Sequence, residues 1–448
     1  MIENNDKKQK RRRGVILTEI GLEKLQNAKL EAEYKENQGK RYTLEDLSEK
    51  IGLAMDTLMK VFAGESKVDK QTLKYCFKAF ELRLCDEDFF YPQISSIDYS
   101  SLTLSPEPEL PEGQVPLDSQ FYLERSPIET ECYKAILQPG ALIRLKAPRR
   151  MGKSSLLARI IEHGSQNNCA AVSLSFQLAD TWLFQDLDKF LRWFCANISL
   201  SLNIENKVVD YWDDLFGSKI SCKIYFEEYI LSTLKTPLVL GLDDVDRLFQ
   251  YPDLADNFFG LLRAWHEEGK NKDIWKKLRL IVVHSAEVYI PLNLNQSPFN
   301  VGIPITLPMF TPQQVQDLAK IYKINWSLKQ GQKLMDLVGG NPYLLKLALY
   351  HISVEKVTLD ELLLAYNNAI SNIYLDHLQR QLWAVKQQNT ELLKALEKVV
   401  LASQPIELDL VESIKLQSLG LVHFQGHKVI ISCRLYQQYF QQHFQGLA

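Results

Sequence analysis

The chain has 448 residues, which is enough for two to four domains. Hydrophobic residues make up 46% of it and charged residues 24%, proportions that are ordinary for globular proteins and exclude a fibrous or wholly disordered chain. The formal net charge is −3, which excludes a protein that binds polyanions through its bulk charge.

The cysteines and the hydropathy pattern bear on metals, compartment and membranes. No two of the seven cysteines form a C-x-x-C pair, so a zinc site is not expected, and scattered thiols in odd number favour a reducing compartment. The polar N-terminus lacks the apolar segment of a secretory signal, and no apolar run approaches the roughly 18 residues of a membrane span. We therefore expect a cytoplasmic protein without membrane contact.

Residues 1–91 predict a small all-α domain. A basic run at 7–13 precedes an amphipathic helix, and further helices are expected from about 43, 55 and 70. Gly52 separates the second helix from the third, and two short helices joined by a glycine-containing turn are the plan of a helix-turn-helix. The segment resembles the helix-turn-helix of repressor-like bacterial DNA-binding domains.

Two roles stay open for this domain. In a DNA complex, Asp56, Thr57 and Lys60 would lie on the exposed face of the recognition helix. The lysines placed to meet phosphates are Lys67, Lys70 and Lys74. However, the Asp56 carboxylate repels phosphate, and many three-helix units bind only protein. Both DNA contact and protein docking are therefore retained, and the basic run is either a solvated tail or a contact for nucleic acid or another acidic surface.

Residues 92–120 contain five prolines together with serines and acids, and no helical or strand periodicity persists there. This composition predicts a semi-extended linker. It separates the N-terminal domain from a core at 121–310.

The strongest motif lies at 147–155, APRRMGKSS, between a short apolar run and a helical pattern. Strand, tight loop and helix form the setting of a phosphate-binding P-loop, G-x-x-x-x-G-K-[ST]. The motif predicts that Lys153 stabilises the terminal phosphate and that Ser154 ligates Mg²⁺, whereas Ala147 replaces the first glycine and makes hydrolysis less certain than binding. The residues expected to bind the nucleotide here are Pro148, Arg149, Arg150, Met151, Gly152, Lys153, Ser154 and Ser155.

A second motif, LVLGLDD at 238–244, is an apolar run that ends in two acids. Such a buried strand would place Asp243 beside the Mg²⁺ held by Ser154, and Asp244 could act as the general base that orients water. Arg247 follows closely. It is expected to pair with Asp246, with contact to a phosphate or a neighbouring subunit as the alternative.

A third apolar run at 278–283 ends in His284 and Ser285. Short apolar strands that alternate with helices predict a parallel sheet with helices on both faces and with its ligand at the carboxyl ends of the strands. The predicted fold class is therefore α/β, with a P-loop NTPase core.

The C-terminal third predicts a helical lid at 311–385 and a winged-helix-like module at 386–448. Gly340-Asn341-Pro342 has the composition of a turn between helices. The segment 421–431 alternates apolar and polar residues around Gly426, which predicts a β-hairpin after the preceding helices. Because lysine and arginine are sparse in this module, we expect it to relay the state of the core rather than bind DNA.

The chain resembles an AAA-like ATPase family of bacteria related to the STAND class, the signal-transduction ATPases with numerous domains. The resemblance covers roughly 115–445 and rests on 147–155, LGLDDVDR at 240–247, FGLLRAWH at 259–266 and HSAEVY at 284–289. It implies that His284 senses the γ-phosphate, unless it is a structural histidine, and that Pro342 lies against the nucleotide, unless its segment is only a turn. It also implies binding of ATP with Mg²⁺ and slow hydrolysis that is coupled to domain rearrangement and often to oligomerisation.

Two functions follow. The first is a nucleotide-hydrolysing switch with Lys153 and Asp244 as catalytic residues and Ser154 and Asp243 as metal ligands. Its partners are ATP, other proteins or further copies of the chain. The alternative is a DNA-bound regulator or scaffold whose nucleotide site binds without turnover. A P-loop kinase is a weaker interpretation, because no arginine-rich phosphoacceptor lid is evident.

Overall fold

The computed structural model describes residues 15–36, 41–63, 68–85, 88–90, 108–285, 298–364 and 369–445. Four segments named above lie outside these ranges: the basic run at 7–13, Lys67, residues 92–107 of the predicted linker, and residues 286–289 of the last quoted motif. The chain divides into two compact units, 1–105 and 106–448, so the division falls within the predicted linker. None of the described helices combines the length and apolar character that are needed to cross a bilayer.

The described residues of the first unit form four helices and a pair of short strands. Its elements are β1 Ile16–Leu17, α1 Glu19–Glu36, α2 Leu44–Ile51, α3 Met55–Ala63, α4 Lys70–Ala79 and β2 Phe89–Phe90. The antiparallel β1–β2 pair departs from the prediction of an all-α domain. Phe89 is buried, and the buried Asp88 beside it forms an ion pair with Lys24 at 3.2 Å, which fixes β2 against α1.

The turn between α2 and α3 follows the predicted glycine chemistry. Thr43 and Asp46 form a capping box at the start of α2, and Gly52 ends it with a left-handed φ of 77°. Ser48 Oγ donates to the carbonyl oxygen of Leu53 at 2.8 Å and closes the turn. On α3, Lys60 is exposed and Thr57 is half-buried, whereas the side chain of Asp56 is not among those described.

The second unit is built on a five-stranded parallel sheet. Its strands are β3 Leu142–Lys146, β4 Ala170–Ser175, β5 Leu238–Asp243, β6 Leu278–His284 and β7 Ile303–Thr306, in the order β4-β5-β6-β3-β7. The helices along this part of the chain are α5 Ile128–Ile136, α6 Lys153–Gln166, α7 Leu187–Ser201, α8 Val208–Tyr211, α9 Gly217–Ile224, α10 Leu231–Thr233, α11 Pro252–Asn271 and α12 Asp273–Lys276, with a π-helical turn at Tyr225–Ile230. The predicted α/β fold class is confirmed.

Both faces of the sheet are covered, which explains the continuous apolar runs of its central strands. Alternate residues of β3 point to different cores: Ile143 packs with Leu156 of α6, and Leu142 packs in the core that contains α7 and α11. Helix α6 lies very close to β5, since a Cβ at Gly241 would be 2.8 Å from Leu157 and Ile161. This close packing places the N-terminus of α6 at the carboxyl edge of the sheet.

The C-terminal part is helical except for one hairpin. Its elements are α13 Pro312–Ile321, α14 Leu328–Val338, α15 Pro342–Ser353, α16 Leu359–Leu364, α17 Ala369–Gln388, α18 Thr390–Leu401, α19 Leu410–Ser418, β8 Val422–Gln425, β9 Lys428–Ile431 and α20 Arg434–Gln445. The predicted hairpin is present, because β8 pairs antiparallel with β9. The predicted division at 385/386 falls inside α17, and residues from α13 to α20 share one hydrophobic core.

Candidate functional site

The predicted P-loop connects the end of β3 to the start of α6. Lys146, the last residue of β3, pairs with His284 of β6 and Thr306 of β7, so the loop leaves the sheet at its carboxyl edge. Ala147 is fully buried in the core beneath the loop and is not among the residues with positive φ. The first position of this loop therefore does not require the conformational freedom of glycine, and its Cβ is accommodated.

Two later residues give the loop its shape. Arg150 and Gly152 have left-handed φ angles of 62° and 90°. The left-handed φ makes a larger residue strained there, and a Cβ at Gly152 would lie 3.1 Å from Nη2 of Arg125, so that side chain would also have to shift. Gly152 begins α6 without a side-chain cap, which leaves the amides of the first turn available to an anion such as a phosphate.

Lys153 is held against the loop by its own backbone. Its Nζ donates to the carbonyl oxygens of Ala147 at 2.9 Å and Pro148 at 3.0 Å. Burial lowers the pKa of Lys153 to about 8, although the carboxylates of Asp246, Asp243 and Asp244 oppose this change. The side chain is therefore still mainly cationic at neutral pH and lies among three acids, where it can stabilise phosphate charge.

Ser154 and Asp243 meet at the junction of α6 and β5. Asp243 is 9% exposed and is the last residue of β5. Burial raises the pKa of its carboxyl group, and a hydrogen bond from Ser154 opposes this effect. A hydroxyl and a carboxylate in direct contact form an oxygen donor set that suits Mg²⁺, which keeps waters and phosphate oxygens as its other ligands. The residues present therefore fit the predicted metal.

Asp244 adopts a left-handed φ of 58° immediately after the strand. Its amide donates to Oδ1 of Asp243 at 2.9 Å, and its Oδ2 accepts a hydrogen bond from Oγ of Ser175 at 2.9 Å. Ser175 ends β4 in register with Asp243, so two neighbouring strands position this carboxylate. Asp244 thus lies beside Asp243, and its role in orienting water stays a prediction.

The third acid, Asp246, ties β5 to β6. Both of its carboxylate oxygens accept from the amide of Ser285, at 2.9 and 2.8 Å. Arg247 does not make the expected pair with Asp246: its Nη1 donates to the carbonyl oxygens of Phe176 at 2.7 Å and Ala179 at 3.2 Å. The short helical turn at Val245–Gln250 carries the two side chains apart, with Arg247 turned towards the end of β4.

His284 ends β6 within the sheet edge that carries the P-loop and the acids. It is 4% exposed, and its ring packs edge-on against Phe299 with 4.9 Å between ring centroids. Its carbonyl oxygen accepts from the amide of Ala147 at 3.4 Å. The structure therefore places His284 next to the P-loop, and its role towards the γ-phosphate stays a prediction.

Four predicted loop residues contact three other parts of the unit. The carbonyl oxygen of Met151 accepts from Nη2 of Arg125 at 2.6 Å. Ser155 is buried and its Oγ accepts from the amide of Val115 at 2.9 Å, so this hydroxyl holds protein rather than phosphate. The amide of Arg149 donates to the carbonyl oxygen of Ser418 at 3.2 Å. Pro148 lies beside Gly420, where a Cβ would be 3.5 Å away.

A cavity of about 710 Å³ adjoins the loop. One wall is formed by residues 109–116, which we call the strap and which belong to the predicted linker. Arg159 of α6 holds the strap, with Nη1 donating to the carbonyl oxygen of Val115 at 3.1 Å and Nη2 donating to that of Pro116 at 2.7 Å. The end of the predicted linker is therefore part of the candidate nucleotide site.

The opposite wall of the cavity is the start of α15. Asn341 caps this helix by accepting from the amides of Tyr343 and Leu344, and Pro342 is its first residue and lines the cavity. The ring of Tyr343 packs against the guanidinium of Arg150, with 4.0 Å between the guanidinium carbon and the ring centroid. Helix α15 therefore contacts the P-loop beside the cavity, and the contact of Pro342 with a nucleotide stays a prediction.

The sequence left residues 121–125 open between closing over the base and ordinary packing, and it did not single out Lys346; the structure places residues of both at the cavity. Arg125 is 4% exposed, lies 5.0 Å from the ring centroid of Phe310, and lines the cavity together with Tyr122. Lys346 also lines it and is 7% exposed. The available signal was a single lysine within the apolar run YLLKLAL at 343–349, because a charge in a buried helix requires a partner or a ligand.

Comparison with protein families gives one match. The model of a family described as "AAA-like domain" matches residues 110–442. The match includes the P-loop, the acids after β5, α15 and the hairpin, together with most of the strap. No curated protein sequence matches the chain.

Several solved structures are similar to this fold. A Walker-type ATPase of Pyrococcus abyssi is 10% identical, with 71% of this chain and 96% of that chain covered and a TM-score of 0.50. The ORC2 protein of Aeropyrum pernix, solved as ADPNP and ADP complexes, is 13% identical, with 71% and 93% covered and a TM-score of 0.39. Domain III of the Thermotoga maritima replication initiation protein DnaA is 16% identical, with 56% and 98% covered and a TM-score of 0.34. Of these structures, the Pyrococcus protein is the one from which we infer a fold shared with this chain.

Proposed function

Because this chain belongs to the AAA-like family of P-loop ATPases, we propose that it is an ATP-binding molecular switch that hydrolyses ATP slowly. The observation that carries the proposal is the contact of Ser154 with Asp243 beside Lys153, at the uncapped start of α6. This arrangement unites a hydroxyl, a carboxylate, a cation and free amides at one edge of the sheet. It can hold a nucleoside triphosphate together with Mg²⁺.

Each group has a defined task in this proposal. The first-turn amides of α6 and Lys153 hold the phosphates, and Lys153 stabilises the charge that develops on the γ-phosphoryl group. Ser154 and Asp243 would hold Mg²⁺, which neutralises phosphate charge when it is bound. Asp244 orients the attacking water and accepts its proton, while Ser175 keeps the carboxylate in place. His284 at the end of β6 would sense the γ-phosphate, and Pro342 at the start of α15 would lie against the nucleotide.

The contacts of the loop support coupling of the nucleotide to the C-terminal module. The amide of Arg149 donates to the carbonyl oxygen of Ser418, the last residue of α19. Nε2 of Gln381 in α17 donates to the carbonyl oxygen of Leu419 at 3.1 Å. A nucleotide that reorders residues 148–150 must therefore alter the seating of the winged-helix-like module, which is the domain rearrangement of a STAND-type regulator.

Partners follow from the same proposal. We propose that the rearrangement exposes a surface for another protein or for further copies of the chain. In the first unit, Met55 and Met59 are exposed on α3 beside Lys60, a mainly apolar face that favours protein docking over DNA. The alternative function, a DNA-bound regulator without turnover, predicts DNA affinity that falls steeply with salt and no release of phosphate.

The first test measures ATP binding and phosphate release by the purified full-length chain, with and without DNA. Lys153→Ala removes a cation that makes charge-assisted bonds, so we expect the affinity for a fluorescent ATP analogue to fall by about a hundredfold or more. Lys219→Ala, at an exposed lysine, is the matched control and should bind like the wild type. An unchanged affinity in Lys153→Ala would remove the proposed function, and binding without phosphate release would favour the alternative.

A further inference from the structure

Helix α15 presents one face to the cavity beyond Pro342. The side chains that line the cavity from this helix are Pro342, Tyr343, Lys346, Leu347, Tyr350 and His351. Their spacing follows successive turns of one helical face. Lys346 is one turn, roughly 6 Å, further along the helix than Pro342, and therefore further from the P-loop contact of Tyr343.

Lys346 is a buried cation without a partner. Its side chain lies within an apolar helix and is 7% exposed. Across the described part of the chain, no acceptor lies within hydrogen-bonding or ion-pair distance of its Nζ. Burial lowers the pKa of Lys346 to about 8, and only Glu109 of the strap opposes this change. An ammonium group has three donors and no acceptor, so Nζ of Lys346 is available to bond an acceptor that enters the cavity.

The charges around Lys346 and around Lys153 belong to two different regions of the site. Lys153 interacts with Asp246, Asp243 and Asp244, which form the phosphate and metal region. The charged groups that act on Lys346 are instead Glu109 of the strap, Arg159, which holds the strap, and Arg125. The cavity extends from Gly152 and Ser155 of the P-loop to this second region. A nucleotide with its phosphates at the start of α6 would place its base there.

We propose that Lys346 is a specificity-determining residue that donates a hydrogen bond to a ring nitrogen of the adenine base. This inference rests on the proposed function, because it assumes that the phosphates occupy the P-loop. Adenine offers three unprotonated ring nitrogens as acceptors, whereas its exocyclic amine is a donor and would be repelled by the ammonium group. Lys346 would thus fix which edge of the base faces α15. Bases without an acceptor at that position would be rejected, because the buried cation would stay unpaired.

The test compares ATP with the three deaza analogues that each lack one ring nitrogen, and with inorganic tripolyphosphate, which lacks a base. The variants are Lys346→Met, which keeps the length of the side chain, and the control Lys356→Met, at an exposed lysine that lines the same cavity. We expect one deaza analogue to bind the wild type about 10- to 100-fold more weakly than ATP, the range for one hydrogen bond to a charged group. In Lys346→Met, ATP and that analogue should bind equally, and tripolyphosphate should bind as to the wild type.

The outcomes separate the inference from the proposed function. Equal binding of ATP and all deaza analogues by the wild type overturns the role of Lys346 while leaving ATP binding intact. The role of Lys346 is also overturned if Lys346→Met binds tripolyphosphate and ATP with equally reduced affinity, since Lys346 would then be a phosphate ligand. It is likewise overturned if only 2′- or 3′-deoxy analogues of ATP bind the wild type more weakly than ATP. Failure of the wild type to bind ATP and tripolyphosphate overturns both. A cooperative melt at or above the wild-type temperature shows that Lys346→Met folds.

Discussion

Replacement of Lys346 by methionine should stabilise the nucleotide-free protein. In the folded state the Lys346 side chain is largely buried and makes no ion pair with a described residue, and burial lowers its pKa from 10.5 to about 8. Each tenfold change in a protonation equilibrium corresponds to about 1.4 kcal/mol, so burial of the charge costs roughly 3 kcal/mol of folding free energy. Methionine fills similar space without a charge, and the free energy of unfolding should rise by up to about 3 kcal/mol at pH 7.

The difference in the free energy of unfolding between Lys346→Met and the wild type should depend on pH. Because the folded-state pKa of Lys346 lies below the unfolded value, the penalty is fully present below about pH 8 and disappears as the pH rises through 10.5. The advantage of Lys346→Met over the wild type should therefore be largest at pH 7 and shrink towards zero near pH 10.5. Other groups titrate in the same range, but they do so equally in both proteins and cancel from the difference.

Urea denaturation followed by tryptophan fluorescence measures the unit that contains Lys346. All seven tryptophans lie at or beyond residue 182, so the signal reports on the unit 106–448 and not on the unit 1–105. Lys356→Met provides the exposed control and should leave the midpoint unchanged. Equal stability of Lys346→Met and the wild type at pH 7 would refute the reasoning, since it would mean that Nζ is already solvated or paired in solution.

Three further substitutions test the site and its support. Asp244→Asn should keep ATP affinity within about threefold but reduce phosphate release at least about a hundredfold, as expected for loss of a general base; unchanged turnover would contradict this role. Ser155→Ala removes the acceptor of the Val115 amide and should destabilise the bound strap by about 1–3 kcal/mol, so protease should cleave the strap faster. An unchanged rate of cleavage would contradict this expectation. Gly241→Ala inserts a methyl group 2.8 Å from Leu157 and should lower stability by about 1–3 kcal/mol in the same urea assay; an unaltered midpoint would show that α6 can move.

The sheet edge was predictable because its signals are local. The runs at 238–244 and 278–284 are apolar over their whole length and end in polar residues, and parallel strands gather such ends at one edge. From this alone, Ser154 and Asp243 are expected near each other, and in the structure the Ser154 hydroxyl is close enough to oppose the rise in the pKa of Asp243. The departure at Ala147 was also visible, but only the backbone shows that this position has no need of a left-handed φ.

The strap was not predictable, because its contacts are distant in sequence and involve its backbone. Its prolines gave the composition of a linker, yet Arg159 binds its carbonyl oxygens from more than 40 positions away. A carbonyl oxygen is present on every residue, so no residue type marks such an acceptor. The predicted pairing of Arg247 with Asp246 was wrong for a similar reason. Its nearest acid in sequence was Asp246, whereas its acceptors are carbonyl oxygens after β4.

The P-loop is fastened to three other parts of the unit besides the sheet. Arg149 is bonded to the end of α19, Arg150 packs on Tyr343 of α15, and Ser155 holds Val115 of the strap. Two of the groups expected to hold phosphates now bond to protein: Nζ of Lys153 donates to the loop's own carbonyl oxygens, and the amide of Arg149 donates to the carbonyl oxygen of Ser418. Binding must therefore exchange internal hydrogen bonds for bonds to the ligand. Such an exchange changes the seating of each attached part, which is what the proposed switch requires of its nucleotide site.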